Sequence, residues 1–528
     1  MAEQVAIGSE IARALAARGV RTVFGIPGVH NVELYRGLEE SGITHVLARH
    51  EQGAGFMADG YARASGQPGV AFVISGPGLT NILTPVGQAY SDSVPLLVIS
   101  ACLPRGQLGM GYGQLHEMRD QEGAGEAVAQ WSRTADTADA LWDLIDRAIA
   151  DFGSRRPRPV HIQVPLDLLE GTGPSAPAAL TPPPPPRPDP AAVEEAAGLL
   201  REAKRPLLIV GGGAWSAADA LPELIARAGL AVFPTYAAKG LIGDGHPRSF
   251  GPTLARPGSA EIIGSADLVV ALGTELAEPD FWRQEPGISG TLLRIDIDPN
   301  MLADRHRADS VVLSDAGAFV RALLEVLEPQ ATTWEEEAIA DARTRLVADA
   351  LAERPGVAAV LPSFAASCPE DAIVVADMTQ FAYLGNEVHP TPRGGRWLHP
   401  VGFGTLGYAM PAAIGAKLAA PERPVIAVAG DYGFQYTVQE LATAVELGLS
   451  LPILIWDNGK LGEIEEDMVR KQIAPNAVVA RNPDFLALAR AYGAEAIQPA
   501  RYEDIPAAVA QALAASVPTL IHVRADLG

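Results

Sequence analysis

The chain has 528 residues, too many for one ordinary core, and its length alone suggests about three domains. Apolar residues make up 48% of it without any run long enough to span a membrane, and a formal net charge of −23 argues against nucleic acid or an anionic membrane as partner. Met1-Ala2-Glu3-Gln4-Val5 lacks the basic and apolar regions of a secretory leader, and Cys102 and Cys368 lie too far apart in sequence to suggest a disulfide framework, so a cytoplasmic protein is expected.

In chain order, the first segment (1–178) alternates short apolar runs with glycine turns, as in Val23-Phe24-Gly25-Ile26-Pro27-Gly28 and Val70-Ala71-Phe72-Val73-Ile74-Ser75-Gly76. Thr181 to Pro190 is so rich in proline that it continues neither helix nor sheet, which makes 179–190 a semi-rigid linker. A central segment (191–330) opens with strand-like Pro206–Val210 and Gly211-Gly212-Gly213, and it closes near strand-like Leu292–Pro299. A charged helical connection (331–354) leads to a third α/β segment (355–528).

The first and third segments echo each other. Gly60 to Gly78 and Gly415 to Gly433 have the same length, and each reads as helix, short link, buried strand, glycine turn. Such a weak repeat is the trace expected of a duplicated fold.

Val425 to Lys460 carries the most chemistry. It reads as strand Val425–Ala429, Gly430-Asp431-Tyr432-Gly433, helix Val438–Leu447, strand Leu451–Trp456, then Asp457-Asn458. In a parallel sheet both loops open at the carboxyl ends of the strands, where open α/β sheets bind ligands. Asp431 and Asn458 then lie side by side as oxygen ligands for Mg²⁺, and Gly433 lets the backbone approach a phosphate.

This pattern resembles the diphosphate anchor of thiamine diphosphate (ThDP) enzymes, with Tyr432 where the family usually has a second glycine. Arg49-His50-Glu51-Gln52-Gly53 resembles the N-terminal signature of the acetolactate synthase-like branch. The resemblance implies three doubly wound parallel-sheet domains: pyrimidine-binding, middle Rossmann-like and diphosphate-binding. It also implies that Glu51 is the catalytic acid on the aminopyrimidine ring of ThDP. Pro27 and Gly28 match the first active-site loop, Gly76 the second, and Thr379 and Gln380 a diphosphate contact, with Phe381 replacing a common His. Gly404 matches the residue whose carbonyl accepts from the 4′-amino group, and Leu406 the bulky residue that bends the cofactor. Gly430, Asp431, Tyr432, Gly433 and Asn458 match the anchor, with the Lys460 carbonyl completing the Mg²⁺ shell. In this family the catalytic acid and the diphosphate loop come from different subunits, which implies a homodimer at least, with a homotetramer common. The flavin-site run of FAD-dependent members is not found after Val269–Gly273, where Thr274-Glu275-Leu276-Ala277-Glu278 stands instead, so a central domain without FAD is expected.

The chain around Gly28–Tyr35 and Asp457–Ile464 resembles most the 5-guanidino-2-oxopentanoate (2-ketoarginine) decarboxylases of arginine catabolism. The small-molecule partner implied is a 2-oxo acid, cleaved to an aldehyde and CO₂, here 4-guanidinobutanal. Val29, Glu463 and Glu466 are the candidate substrate contacts. The two glutamates share one helix face and suit a guanidinium, while acidic residues in a first helical turn also simply complement the helix dipole. His30 and His116 are candidates for the proton transfer that follows decarboxylation, because an imidazole titrates near neutral pH. A carboligase that joins two 2-oxo acids and a non-catalytic cofactor-binding scaffold are the competing readings.

Overall fold

The computed structural model describes residues 4–479 and 481–527. Among the described residues its architecture is three parallel sheets, each flanked by helices, with a small antiparallel pair of Gln4–Ala6 and Thr172–Pro174 beside the first. The N-terminal sheet orders its strands Thr44–Leu47, Thr22–Gly25, Gly69–Val73, Leu96–Cys102, Val160–Pro165, Trp131–Thr134. The C-terminal sheet runs Arg396–Leu398, Ile373–Ala376, Val425–Gly430, Pro452–Asp457, Thr519–Arg524, Glu495–Ile497. Counted along the chain, both orders are 2-1-3-4-6-5. The repeat in the sequence is thus a repeat of topology. The central strands are apolar throughout because helices cover both faces of each sheet; all of Gly69–Val73 and Val425–Gly430 is buried.

The two similar domains meet through the equivalent helices Glu51–Ser65 and Ala409–Ala419. The backbones touch: a Cβ at Gly60 would lie 1.9 Å from the Ala412 carbonyl oxygen, and one at Gly415 would lie 1.8 Å from that of Met57. Gly60 and Gly415 occupy the same place in the two repeats, so each helix supplies the glycine that admits the other. Tyr408 Oη donates to buried Asp59 (2.7 Å), which also holds Arg63. One continuous apolar core spans both domains here, from Phe56 and Met57 to Tyr408 and Ile414.

The central sheet has five parallel strands in the order Ala231–Pro234, Pro206–Val210, Leu268–Leu272, Thr291–Asp296, Ser310–Leu313. Gly211 and Gly213 pack directly on the Gly273 turn of the neighbouring strand, where a Cβ on Gly211 would lie 2.3 Å from the Gly273 oxygen. Arg156 of the N-terminal domain bonds Glu275 (2.7 Å) and Asp296 (2.8 Å) at the ends of these strands, clamping the two domains together. The proline-rich 181–189 has no regular structure and is pinned by the Pro186 carbonyl, which accepts from Asp315 N (2.9 Å). No helix among the described residues is long and apolar enough to cross a membrane.

Candidate active site

In an open parallel sheet a crevice forms where the strand order reverses. In the C-terminal domain that point lies between Ile373–Ala376 and Val425–Gly430, and the loops leaving these strands carry Asp377–Gln380 and Asp431. Asp377 is buried and braces the crevice. Its carboxylate accepts from Met378 N (2.8 Å) and Gly407 N (3.0 Å), and burial pushes its pKa up to about 6. Gly407 ends the loop that carries Gly404, whose φ of +68° is left-handed, and half-buried Leu406. Thr405 Oγ donates to Gln88 Oε1 of the N-terminal domain (2.9 Å), fixing the same loop from the other side.

Gly433 has a packing role that its motif does not reveal. Residues Asp431–Tyr436 form a short helix rather than an open glycine turn, and a Cβ on Gly433 would point at the Asp377 carboxylate, 2.9 Å away. Gly433 is required for packing on Asp377. Gly430 faces Thr379 instead, with 3.2 Å to its hydroxyl oxygen from an added Cβ. The expected helix Val438–Leu447 is observed as Glu440–Glu446, because Thr437 to Gln439 form a turn between the two short helices.

Asp431 and Asn458 follow adjacent parallel strands, as their spacing predicts. Asp431 is 2% exposed, and burial raises its carboxyl pKa to about 6 against a single opposing side-chain donor, Asn482. Asn482 Nδ2 donates to Asp431 Oδ2 (2.6 Å) and to Asp457 Oδ1 (2.8 Å), and His522 Nε2 lies 2.8 Å from Asp457 Oδ2. Asn482 is invisible to sequence reasoning because nothing near it forms a motif. Asn458 Oδ1 accepts from Lys460 N (3.2 Å) across a turn that Gly459 makes at φ +67°. A buried carboxylate beside an amide oxygen fits Mg²⁺, which relieves the burial cost and takes its remaining oxygens from phosphate and water. No group of three or more His, Cys, Asp or Glu able to hold a metal occurs among the described residues, so a metal here needs those other oxygens.

A hydrogen-bonded line leads outward from Asn458. Its Nδ2 donates to Gln380 Oε1 (3.4 Å), and Gln380 Nε2 donates to Glu466 Oε1 (2.6 Å). Glu466 and Glu463 lie one turn apart on the helix Gly462–Arg470, and both face Arg354, at 3.6 and 2.7 Å. The two candidate substrate carboxylates therefore already hold one guanidinium, that of their own chain. Arg354 lies far away in sequence, between the helices Glu336–Glu353 and Pro355–Ala358, and no motif connects it with them.

The N-terminal domain has the matching crevice between Thr22–Gly25 and Gly69–Val73. Fully buried Asn31 shapes the first loop: its Oδ1 accepts from Gly28 N (2.6 Å) and its Nδ2 donates to the Ile26 carbonyl (3.1 Å). Pro27 and Val29 are thereby held at the surface, Val29 66% exposed. Across the crevice Ser75 Oγ lies 2.7 Å from His30 Nδ1, and the His30 and His116 rings meet edge-on with centroids 4.9 Å apart. Burial, then the neighbouring His116, lower the His30 pKa, which favours neutral imidazole. His116 has a strained φ of +61°, and its buried Nδ1 has no partner among the described residues. The Gly76 amide donates to Gln121 Oε1 (3.0 Å), and a Cβ on Gly76, at φ +66°, would lie 2.7 Å from the His116 oxygen.

Glu51 begins the helix Glu51–Ser65, nearly buried, and accepts from Asn81 Nδ2 (2.9 Å). Its position depends on the C-terminal domain. Glu440, fully buried there, accepts from the backbone amides of Arg49 (3.0 Å) and His50 (2.9 Å), the two residues that lead into Glu51.

Two topologically equal α/β domains with crevices lined by glycines, imidazoles and buried carboxylates, joined by a third, define a cofactor-binding enzyme. The chain belongs to the thiamine pyrophosphate enzymes. Residues 6–124 match the N-terminal TPP binding domain of that family, 193–323 its central domain and 377–523 its C-terminal TPP binding domain. Thiamine diphosphate is the cofactor, with Mg²⁺ as the usual partner metal. The chain is 47% identical over 524 residues to the probable 2-ketoarginine decarboxylase AruI of Pseudomonas aeruginosa, covering 98% of this chain and 93% of that protein. It is 30% identical to the acetolactate synthase isozyme 3 large subunit of Escherichia coli, over 95% of this chain and 91% of that one. Against the acetolactate synthase large subunit of Parasynechococcus marenigrum it is 32% identical, over 98% and 86%.

Proposed function

We propose that this enzyme decarboxylates 5-guanidino-2-oxopentanoate to 4-guanidinobutanal and CO₂. The observation that carries the reading is the 47% identity along nearly the whole chain to a probable 2-ketoarginine decarboxylase, well above the 30–32% found with acetolactate synthases. When bound, thiamine diphosphate supplies an electron sink for the pair left as CO₂ departs from a 2-oxo acid.

The chain's own residues divide the remaining work. Asp431, the Asn458 amide oxygen and the Lys460 carbonyl would hold Mg²⁺, with Gly430, Tyr432, Gly433, Thr379 and Gln380 around the diphosphate. Pro27, Gly28, Gly76, Gly404 and Leu406 would seat the pyrimidine, and Glu51 would hold a proton against its ring nitrogen. The Ser75 hydroxyl engages His30 Nδ1, leaving Nε2 to exchange a proton at the substrate, with His116 edge-on beside it. Val29 projects from the same loop as His30.

We further propose a homodimer at least, with a homotetramer as the fuller assembly, in the cytoplasm. Exposed apolar side chains on the N-terminal loops (Val29, Met110, Tyr112, Leu115) and on and after the helix Gly462–Arg470 (Ile464, Val469, Ile473) support contact between copies. Both cysteines are free, as a reducing compartment allows.

The test is a panel of 2-oxo acids given to the protein with thiamine diphosphate and Mg²⁺, following CO₂ and aldehyde. Release of 4-guanidinobutanal is expected. Acetolactate from pyruvate, with no guanidino aldehyde, would move the enzyme to the carboligases.

A further inference from the structure

A cavity of about 350 Å³ opens behind His116, at the carboxyl ends of the adjacent strands Leu96–Cys102, Val160–Pro165 and Trp131–Thr134. Cys102, His116, Asp120, Glu122, Glu126 and Gln163 are among its lining residues. Three of these are carboxylates, and Arg119 is the one lining side chain of opposite charge. Its size suits a small organic group rather than a water or two.

Gln163 is the informative member. It is 3% exposed, its Nε2 donates to Thr134 Oγ (2.6 Å), and its buried Oε1 has no partner among the described residues. A buried amide oxygen left bare in a cavity wall costs free energy unless a donor comes to it. Beside it Glu122 spends one oxygen, Oε2, on the Thr134 amide (2.8 Å), while the other is no nearer than 3.8 Å to Arg133. The cavity wall thus offers one unfilled neutral acceptor, Gln163 Oε1, and next to their shared partner Thr134 an anionic one, Glu122 Oε1, whose ion pair with Arg133 is loose.

We propose that this cavity is the subsite for the cationic tail of the substrate, with Gln163 Oε1 and Glu122 Oε1 accepting from a guanidinium. The assignment rests on the guanidino 2-oxo acid reading above. A guanidinium presents five N–H donors in a fixed planar fork and suits acceptors gathered around Thr134, whereas a hydrocarbon tail would leave Gln163 Oε1 bare. His116 lines the cavity and touches His30, so a substrate reacting at the imidazoles extends its tail inward. The alternative reader, the pair Glu463 and Glu466, is already engaged by Arg354.

The experiment compares kcat/KM for 5-guanidino-2-oxopentanoate with that for uncharged 2-oxohexanoate in the holoenzyme. Gln163→Met and Glu122→Gln are each expected to lower the ratio roughly tenfold or more, since a site built to hydrogen-bond a donor discriminates through it. Propylguanidine binding, measured by calorimetry, should weaken in parallel. Glu122 also braces Thr134, so Gln163→Glu serves as the gain variant: its added charge should raise the ratio and tighten propylguanidine. Ratios that change less than twofold in all three variants, or a collapse seen only in Glu463→Gln, overturn the proposal. If the wild type ignores the guanidino acid yet binds propylguanidine in a manner lost with Gln163→Met, the cavity assignment stands and the substrate reading falls.

Discussion

Replacing Gly415 by alanine tests the contact that joins the two cofactor-binding domains. The added Cβ would lie 1.8 Å from the Met57 carbonyl oxygen, 2.7 Å from its carbonyl carbon and 2.9 Å from Tyr61 N. An ordinary C···O contact is roughly 3.3 Å, so the helices Glu51–Ser65 and Ala409–Ala419 must part by about 1.5 Å. Neither obstacle is a side chain that can swing away, and both helices are set in one apolar core. Overpacking of this kind costs about 3 kcal/mol, against about 1 kcal/mol gained by alanine over glycine in a helix. The net loss of about 2 kcal/mol should lower the melting transition of these domains by about 4–8 °C in scanning calorimetry. Gly60→Ala, 1.9 Å from the Ala412 oxygen, should do the same, and the double variant should lose less than the sum, because the first substitution has already parted the helices. Gly198→Ala is the control. It lies within the helix Pro190–Glu202, an added Cβ there meets nothing nearer than 3.8 Å, and it should gain up to about 1 kcal/mol. If Gly415→Ala behaved like Gly198→Ala, the close backbone contact would be refuted.

Burial raises the Glu440 pKa to about 7 from an ordinary 4.5, despite its bonds to Arg49, His50 and Thr443. A carboxyl whose pKa rises on folding stabilises the fold below its unfolded pKa and loses that contribution as the pH climbs through the folded value. Glu440→Gln should therefore match the wild type near pH 4.5 and gain on it by about 3 kcal/mol by pH 8; denaturation at several pH values reads this, and a gap independent of pH would contradict it. Asn482→Ala leaves Asp431 and Asp457 without their shared amide, and Mg²⁺ titration of activity should show affinity falling roughly 10–100-fold, as when second-layer partners of a metal ligand are lost. Glu51→Gln keeps the size of the side chain beside Asn81 but cannot hold the proton, so CO₂ release should drop at least about 100-fold; undiminished release would remove Glu51 from its role.

Much of the framework is legible in the amino-acid order. Apolar runs ending at polar or glycine turns mark Val425–Ala429 and Leu451–Trp456, observed as Val425–Gly430 and Pro452–Asp457, because a strand buried on both faces must be apolar along its length. From this follows the adjacency of Asp431 and Asn458. The repeated spacing around Gly60 and Gly415 signals duplication, yet that these glycines face each other's helices follows from tertiary packing alone.

The sequence by itself determined the α/β class, the order of the loops and the residues the cofactor family calls for, since each leaves a local and periodic signature. The tertiary structure alone decided which polar groups meet: Arg354 with Glu463, Asn482 between Asp431 and Asp457, Ser75 on His30, Glu440 beneath the amides that lead into Glu51. It also seated Gly433 against Asp377 and left Gln163 facing a cavity. Such contacts join residues tens to hundreds of positions apart. A polar pair made by chain folding leaves no periodicity along the chain, so only the packing of one domain on another brings it into view.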